Sequence, residues 1–210
     1  MDKVQEIADC ILNFDRKAID ARVNEALHAG VEPQKVLDDG MIAAMAEVGR
    51  RFEEGEFFVP EMLVAAKTMQ QGLALLKPHL AEAGVKSAGK IVIGTVKGDL
   101  HDIGKNLVGM MVEGGGFEVV DLGVDVAPER FVEAARGVDV KVVGLSALLT
   151  TTMPNMKATV DALREAGLRD RVRVMVGGAP LSDAYAEEIG ADGYALDASR
   201  AVRLARSLLA

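Results

Sequence analysis

Cysteine is nearly absent from this chain of 210 residues, which contains Cys10 alone. A single thiol excludes an internal disulfide and a metal cage built only of cysteines, and it is typical of a reducing compartment. No uninterrupted apolar run approaches the ~20 residues that a membrane-spanning helix requires. The first residues also lack the basic and then apolar pattern of a secretory leader. We therefore predict a cytoplasmic protein with no membrane partner.

Positive charge is also scarce, because 24 lysines and arginines face 32 aspartates and glutamates and leave a net charge of −8. No basic run interrupts this balance, so we expect neither a nucleic-acid partner nor an anionic membrane surface. By contrast, 50% of the residues are hydrophobic and 27% are charged. That composition is typical of a folded globular chain and argues against disorder.

Helical periodicity dominates residues 1–80, where apolar positions recur at steps of three and four. The apolar sets are Val4, Ile7 and Ile11; Ala18 or Ile19, Val23 and Leu27; Leu37, Met41, Ala44, Val48 and Phe52; and Met62, Ala66, Met69, Leu73, Leu76 and Leu80. Glycines at 30, 55 and 84 mark helix ends. The pattern predicts a four-helix bundle as a first domain over 1–85, with the small and polar segment 81–90 as the linker.

From residue 86 to 210 the pattern changes to short apolar runs that alternate with helical stretches. The runs occupy 91–96, 117–123, 140–148, 172–178 and 191–195. Strands that are buried on both faces have this appearance, and intervening helices imply parallel crossovers. We predict an α/β domain with a five-stranded parallel sheet, Rossmann-like and flavodoxin-like in strand order. Such sheets bind ligands at the carboxyl ends of their strands.

The loop after the first predicted strand, at 97–106, carries most of the potential chemistry. Gly98 and Gly104 allow a sharp turn and the close approach of a bulky group. Asp99 and His101 are two positions apart, so both side chains can point the same way in an extended loop. The aspartate could then accept a hydrogen bond from one ring nitrogen while the other nitrogen binds a metal. A general base and an ordinary histidine are the alternatives, although the loop offers no Ser or Cys nucleophile.

A conventional metal site cannot be assembled from the other histidines. His28 precedes Gly30 and is expected at a helix C-terminus, where it interacts with the helix dipole. His79 follows Pro78 and is expected to be exposed. If His101 binds a metal, that metal must arrive with its other ligands already supplied by a chelator.

Three short motifs resemble the signature of cobalamin-binding domains. They are D-x-H-x-x-G at 99–104, S-x-L at 146–148 and Gly-Gly at 177–178, each after a different predicted strand. The segment 49–61 resembles the helical cap beside such domains. Both halves are similar to the cap and cobalamin-binding domains of cobalamin-dependent methionine synthase. As a chain of this length, the whole resembles the corrinoid proteins of methyltransferase systems.

The resemblance implies a cofactor bound base-off and His-on, meaning that a protein histidine replaces the cofactor's own base below the cobalt. His101 matches that ligand, and Asp99 matches the carboxylate that hydrogen-bonds to it. Thr152 matches the serine that extends this relay in methionine synthase. As a threonine it keeps the hydroxyl but restricts the rotamer.

The resemblance also implies a set of cofactor contacts. Besides Asp99 and His101, they are Gly98, Leu100, Asp102, Ile103, Gly104, Ser146, Leu148, Thr150, Gly177, Gly178, Ala179 and Ala198. Gly177 and Gly178 match a close approach of backbone to the cofactor tail. Phe52 and Val59 match an apolar roof above the cobalt, with ordinary bundle core as the alternative for both.

The function implied is that of a methyl-carrier subunit rather than a complete enzyme. Its cofactor would be cobalamin or a related cobamide, methylated in one state. The implied partners are a substrate-specific methyltransferase, a second methyltransferase and a reductive activator. Methanol, a methylamine or a methoxylated aromatic compound are the implied methyl donors. The alternatives are a corrinoid sensor or regulator without methyl transfer, a mutase small subunit, and a flavodoxin-like domain with an accidental motif.

Overall fold

The computed structural model of this protein describes residues 2–85 and 87–209. Backbone contacts divide the chain into a first unit, Met1–Ala88 with Glu113–Gly116, and a second unit, Gly89–Val112 with Phe117–Ala210. The predicted second domain begins at position 86, which lies outside the described residues. The domain limits of 1–85 and 86–210 therefore stay a prediction.

Helices form the first unit in the part that the structure describes. They are α1 (Lys3–Leu12), α2 (Ile19–His28), α3 (Pro33–Lys35), a π-helical segment (Val36–Ile42), α4 (Ala43–Glu53) and α5 (Val59–Glu82). The α3 helix, the π-helical segment and α4 follow one another directly, so the described residues contain the four helical stretches that the periodicity predicts. Gly30, Gly55 and Gly84 follow helices with φ angles of 79°, 75° and 70°, which confirms them as helix ends.

The apolar stripes of these helices form the core of the first unit. The buried members include Val4, Ile7, Ile11, Val23, Met41, Ala44, Val48, Met62, Ala66, Met69, Leu73, Leu76 and Leu80. Phe52, at the end of its stripe, is only half-buried. Burial of these side chains drives helix association more than helix propensity does.

The π-helical turn differs from the regular helix that the sequence predicts over this stretch. Its Gly40 faces α1, and a Cβ atom there would lie 3.4 Å from both Val4 Cγ1 and the Val4 carbonyl oxygen. Leu37 and Met41 are both buried. Because a wider turn still keeps positions four apart close together, the apolar pattern could not distinguish it from an α-helix.

Parallel strands form the sheet of the second unit. They are β1 (Lys90–Thr95), β2 (Glu118–Asp121), β3 (Val140–Ser146), β4 (Arg173–Gly177) and β5 (Gly193–Ala195). Within the described residues the sheet has five strands in the order β2-β1-β3-β4-β5, and each adjacent pair is parallel. The prediction of a parallel α/β domain with flavodoxin-like strand order is confirmed. Both ends of the predicted linker 81–90 belong to regular structure, because α5 extends to Glu82 and β1 starts at Lys90.

Helices alternate with the strands and cover both faces of the sheet. They are α6 (Ile103–Gly114), α7 (Pro128–Ala135), α8 (Pro154–Glu165), α9 (Asp183–Ile189) and α10 (Ala198–Ser207). Val92 and Val143 belong to a core cluster on one face, and Ile91, Ile93 and Val142 belong to a cluster on the other. Apolar residues are needed on both faces, which is why the strands read as uninterrupted apolar runs.

Strand direction determines where the candidate site lies. Because all strands are parallel, the loops after β1, β3, β4 and β5 meet at one edge of the sheet. Those loops contain the predicted contact residues. No helix in 2–85 or 87–209 has the length and apolarity required to cross a bilayer.

Candidate functional site

The loop between β1 and α6, residues 96–102, is called the His101 loop below. Its turn depends on Gly98, whose φ of 82° is a conformation that favours glycine. The Gly98 amide donates to Asp125 Oδ1 at 2.7 Å, and the Asp99 amide donates to the Val96 carbonyl at 3.1 Å. The predicted turn at Gly98 is confirmed.

The predicted sharp turn at Gly104 is wrong. Gly104 is the second residue of α6 and does not have a positive φ angle. A Cβ atom added there would meet no other atom within 4 Å. The chain's own packing therefore does not require glycine at 104, and the space beside it is open.

Asp99 is the most heavily hydrogen-bonded carboxylate of the loop, and it is completely buried. Its Oδ1 accepts from the His101 amide at 3.0 Å and lies 2.7 Å from His101 Nδ1. Its Oδ2 accepts from the Leu148 amide at 2.8 Å and from the Thr152 hydroxyl at 2.7 Å. Asp99 thus joins the loop after β1 to the loop after β3.

These contacts explain the ionisation of Asp99. Burial by itself raises the pKa of a carboxyl group, because it disfavours the charged form. At Asp99 the hydrogen bonds from the His101 and Leu148 amides and from Thr152 outweigh burial and hold the pKa well below its usual range. Asp99 is therefore an anion at neutral pH and accepts every one of these hydrogen bonds.

The ionisation of Asp99 determines the tautomer of the neutral His101 ring. An anionic carboxylate cannot donate, so Nδ1 must carry the proton that lies between the two groups. Nε2 then keeps a free lone pair. The His101 side chain is 50% exposed, so this lone pair belongs to a ring that a large ligand can reach.

Thr152 lies within hydrogen-bond distance of Asp99, as the predicted relay requires. It is buried, and its Oγ1 is 2.7 Å from Asp99 Oδ2 and 2.9 Å from the Leu149 carbonyl oxygen. A hydroxyl has one proton, so it donates to one of these acceptors at a time. The structure therefore brings Thr152, Asp99 and His101 into one hydrogen-bonded chain.

The other predicted contacts differ widely in exposure. Leu100 and Ile103 are 70% and 82% exposed, Leu148 is 43% exposed, and Thr150 and Ala179 are also exposed. Half-buried positions are Asp102, Ser146 and Gly177, while Ala198 is buried at the start of α10. Exposed apolar side chains therefore lie in the same loops as the half-exposed imidazole and the groups that hold it, as a binding site for a large, partly apolar ligand requires.

Glycine at 178 has a reason within the chain itself. Gly178 has a φ of 141°, and a Cβ atom there would lie 1.9 Å from the Ala147 carbonyl oxygen. At Gly177 a Cβ atom would lie 3.4 Å from the Ala195 carbonyl oxygen, which is ordinary contact. The backbone after β3 thus forbids a side chain at 178, and the close approach of the cofactor tail that the resemblance implies for Gly177 and Gly178 stays a prediction.

Sequence reasoning missed two polar side chains that hold the loop, Thr95 and Asp125, and one buried lysine that follows it, Lys105. Thr95 is completely buried at the end of β1, and its hydroxyl donates to the His101 carbonyl at 2.9 Å. Asp125 receives the Gly98 amide, and the Lys105 ammonium is buried against Asp121. A threonine in an apolar strand or a lysine in a helix has no distinctive spacing, so no sequence signal could have identified them.

The predicted roof residues lie in the first unit and differ in exposure. Phe52 is half-buried near the end of α4, and Val59, the first residue of α5, is 46% exposed. Their role as a roof stays a prediction. His28 is the last residue of α2 and His79 lies exposed on α5, in agreement with the expectations for both.

The donor set determines which kind of metal fits the site. In residues 2–85 and 87–209 no three His, Cys, Asp or Glu side chains come close enough to hold an ion together. A single available imidazole nitrogen cannot hold a bare ion of ordinary coordination number. It fits a metal whose remaining ligands belong to a cofactor, so the residues present fit a corrinoid.

Comparison with known proteins gives matches in both units. Residues 89–203 match the family described as B12 binding domain, and residues 4–77 match a second family with the same description. The dimethylamine corrinoid protein of Methanosarcina barkeri is 46% identical over 208 residues, which cover 99% of this chain and 97% of that protein.

Two solved structures are also similar along nearly the whole chain. A cobalamin-binding protein from Desulfitobacterium hafniense has a TM-score of 0.81 at 34% identity, with 98% of each chain covered. The methanol:cobalamin methyltransferase complex of Methanosarcina barkeri has a chain with a TM-score of 0.88 at 29% identity, covering 99% of this chain and 79% of that one. This chain therefore belongs to the corrinoid protein family with B12 binding domains, and its cofactor is cobalamin or a related corrinoid.

Proposed function

We propose that this protein carries a methyl group on a corrinoid that His101 binds from below, with the cofactor's own base displaced. One observation carries the proposal: Nδ1 of the ring is held by Asp99 at 2.7 Å, while the ring itself is half exposed and has Nε2 available. When bound, the corrinoid supplies a cobalt atom that accepts a methyl group from one methyltransferase and releases it to another.

The task of the chain's own residues is to orient the imidazole and hold its proton. Metal-binding histidines usually donate their second nitrogen to a carboxylate, which orients the ring and raises its basicity. Asp99 does this from a buried position, and Thr152 together with the Leu148 amide fixes the orientation of Asp99. The proton on Nδ1 therefore stays between His101 and Asp99 while Nε2 is directed to the ligand.

The remaining predicted contacts would hold the rest of the cofactor. The apolar side chains of Leu100, Ile103 and Leu148 suit the flanks of a macrocycle. Gly104 leaves open space at the start of α6. The loops at 146–150, 177–179 and 198 lie at the same sheet edge and would bind the tail.

We further propose a methylamine as the source of the methyl group. The support is the dimethylamine corrinoid protein, which aligns with this chain over almost its entire length. Specificity for the donor would belong to a partner methyltransferase, with a second methyltransferase as acceptor and a reductive activator as a third partner. We also propose a cytoplasmic location, which the free and buried thiol of Cys10 supports.

The axial ligand is tested by loading the purified protein with hydroxocobalamin and reducing the cobalt to the +2 state. Electron paramagnetic resonance then reports the nucleus below the metal. Uniform ¹⁵N labelling of the protein, with unlabelled cofactor, should convert the nitrogen splitting from a triplet to a doublet. His101→Ala should lose this splitting, and His79→Ala is the matched control that should keep it. A triplet that survives protein labelling would mean that the cofactor's own base remains bound, and the proposal would be wrong.

The donor is tested separately with the loaded protein. Methylation of the corrinoid should proceed with dimethylamine and its methyltransferase, and much more slowly with methanol and its methyltransferase. Equal or faster methylation from methanol would contradict the methylamine assignment and leave the axial ligand unaffected.

A further inference from the structure

We propose that Thr95 is a positioning residue for His101, a role that depends on the function proposed above. Its side chain is completely buried, and its hydroxyl donates to the His101 carbonyl oxygen at 2.9 Å. The contact spans six residues along the chain and closes the His101 loop onto the strand from which it departs. The inferred role is to fix the backbone from which the imidazole projects.

Thr95 can hold the loop because its own backbone is fixed by the sheet. It is the last residue of β1 and pairs with Ser146 of β3. On the opposite side, its amide donates to the Gly123 carbonyl at 3.0 Å, and its carbonyl accepts from the Val126 amide at 2.9 Å. The hydroxyl is therefore attached to a residue whose backbone is held by neighbouring segments on both sides.

The loop needs such an attachment because burial does not hold it. Leu100 and Ile103, the apolar residues on either side of His101, are 70% and 82% exposed. Hydrophobic packing therefore contributes little to the position of this backbone. Directional hydrogen bonds have to supply the constraint.

Two side chains, those of Asp99 and Thr95, hold His101 by hydrogen bonds. Asp99 Oδ1 accepts from the His101 amide at 3.0 Å and lies 2.7 Å from Nδ1. Thr95 binds the carbonyl at the other end of the same residue. With both backbone groups held, the Cα–Cβ direction is set, and the single bond from Nδ1 to Asp99 is enough to fix the ring. Without Thr95, the peptide group after His101 can rotate and the bond between ring and Asp99 loses its alignment.

The test uses the cofactor-free full chain and observes the imidazole directly. The chain has three histidines, so long-range ¹H–¹⁵N correlation spectra resolve His101 with His28 and His79 as internal references. At alkaline pH, where an ordinary imidazole is neutral, native His101 should show the widely separated ¹⁵N shifts of a single tautomer with the proton on Nδ1.

Thr95→Val removes the hydroxyl but keeps the β-branched shape. We expect the separation between the two His101 ¹⁵N shifts to narrow toward the average of two tautomers, with no change at His28 or His79. Thr95→Ser, which restores a hydroxyl, should return the native pattern. Thr159→Val is the matched control, because Thr159 is also completely buried but its hydroxyl donates to Asn155 within α8.

An unchanged His101 pattern in folded Thr95→Val would overturn the proposal, as would the same narrowing in Thr159→Val. If Thr95→Val does not fold, Thr95→Ala is used with the same expectation. If both fail to fold while Thr159→Val folds, the hydroxyl is a requirement of the fold and the positioning role is rejected.

A second readout separates this inference from the proposed function. In the cobalt(II) form loaded with hydroxocobalamin, Thr95→Val should show a smaller fraction of protein-nitrogen splitting than the native protein, and Thr95→Ser should restore it. Absence of that splitting in the native protein would reject His101 ligation, whereas the ¹⁵N shifts of the cofactor-free protein would still test the hydrogen bond.

Discussion

Each unit of the molecule contains a carboxylate whose pKa lies below its usual range, but different surroundings keep it there. In the first unit, side-chain hydrogen bonds from Arg50 and Arg51 lower the pKa of Glu47 to about 2. These contacts, at 2.7 to 2.8 Å, lie on a helix surface, and the Glu47 side chain is 31% exposed. In the second unit, Asp99 is completely buried, and three of its donors are backbone amides.

The two sets of contacts differ in how firmly they hold a carboxylate in place. Arginine side chains on a surface are flexible, and water and salt screen their charges, so they stabilise an anion without fixing its position. Backbone amides move only if the fold moves. Asp99 therefore has a fixed geometry as well as a charge, and only such a group can orient the imidazole beside it.

The largest contrast between the units is expected at two glycines with positive φ. Gly178→Ala in the second unit places a Cβ atom 1.9 Å from the Ala147 carbonyl oxygen. We expect it to lower the free energy of unfolding by about 3 kcal/mol or more, because strain and a backbone clash combine. Gly55 in the first unit has a φ of 75°, but a Cβ atom added there would meet no other atom within 4 Å. For Gly55→Ala we therefore expect only the backbone strain, about 1 kcal/mol.

Urea denaturation followed by circular dichroism measures both glycine variants. If both variants lost the same free energy of unfolding, the backbone at Gly178 would have shifted to make room for the Cβ atom. The second unit would then be less rigid than we infer.

The two carboxylates provide the next contrast. Asp99→Asn replaces an acceptor-only group by an amide that cannot accept all the donors around it, and we expect a loss of about 2 kcal/mol in the free energy of unfolding at neutral pH. Glu47→Gln should lose less than about 0.5 kcal/mol, because its partners are exposed and screened. Denaturation with and without about 1 M NaCl checks both. The loss of unfolding free energy in Asp99→Asn should be the same in high salt. If salt abolished it, Asp99 would behave like the exposed Glu47, and the proposed difference between the two carboxylates would be wrong.

Acidification offers a second test of the charge on Asp99. The pKa of Asp99 is lower in the folded protein than its ordinary value of 3.8, so its ionised form favours folding. That contribution is present at neutral pH and is lost as the pH falls below about 5 and through the lowered pKa. The native protein should therefore lose more free energy of unfolding than Asp99→Asn over this range. If the free energy of unfolding fell equally with pH in the two proteins, Asp99 would not be a buried anion in the folded state.

The smallest contrast is expected between two buried threonines. Thr152→Val removes the hydroxyl that donates to Asp99, and we expect a loss of about 1.5 kcal/mol because the acceptor is charged. Thr68→Val in the first unit removes a hydroxyl that donates to the Val64 carbonyl within α5 at 2.8 Å. That carbonyl can keep its helical hydrogen bond, so the loss should be about 0.5 kcal/mol. Thermal unfolding of both variants measures the two losses. A larger loss in Thr68→Val than in Thr152→Val would contradict this prediction.

The sequence predicted the architecture well because burial has a periodic signature. The stripe from Met62 to Leu80 is buried along α5, and each apolar run after residue 90 overlaps a strand of the parallel sheet. The π-helical turn at 36–42 was not predictable, because its apolar positions satisfy the pattern of a regular helix as well.

The candidate site was predictable where a motif places its residues in sequence. Asp99 and His101 are close because they are two positions apart, and the structure adds the 2.7 Å contact. Thr95 was missed because its role depends on which loop folds back on it, and Lys105 was missed because its partner, Asp121, lies at the end of a neighbouring strand. At Gly178 the residue type was noted, but one reason for it is the Ala147 carbonyl oxygen, which only the fold brings near.

Periodicity and local spacing thus determined the helical stretches, the parallel sheet and the pairing of carboxylate with imidazole, because each depends on neighbours along the chain. Tertiary structure alone decided that the carboxylate is buried and anionic, that amides from a strand loop some fifty residues away orient it, and that a threonine at the sheet edge holds the histidine backbone. Those properties come from groups that are distant in sequence, and solvent exclusion and hydrogen-bond direction exist only once the sheet has brought them together.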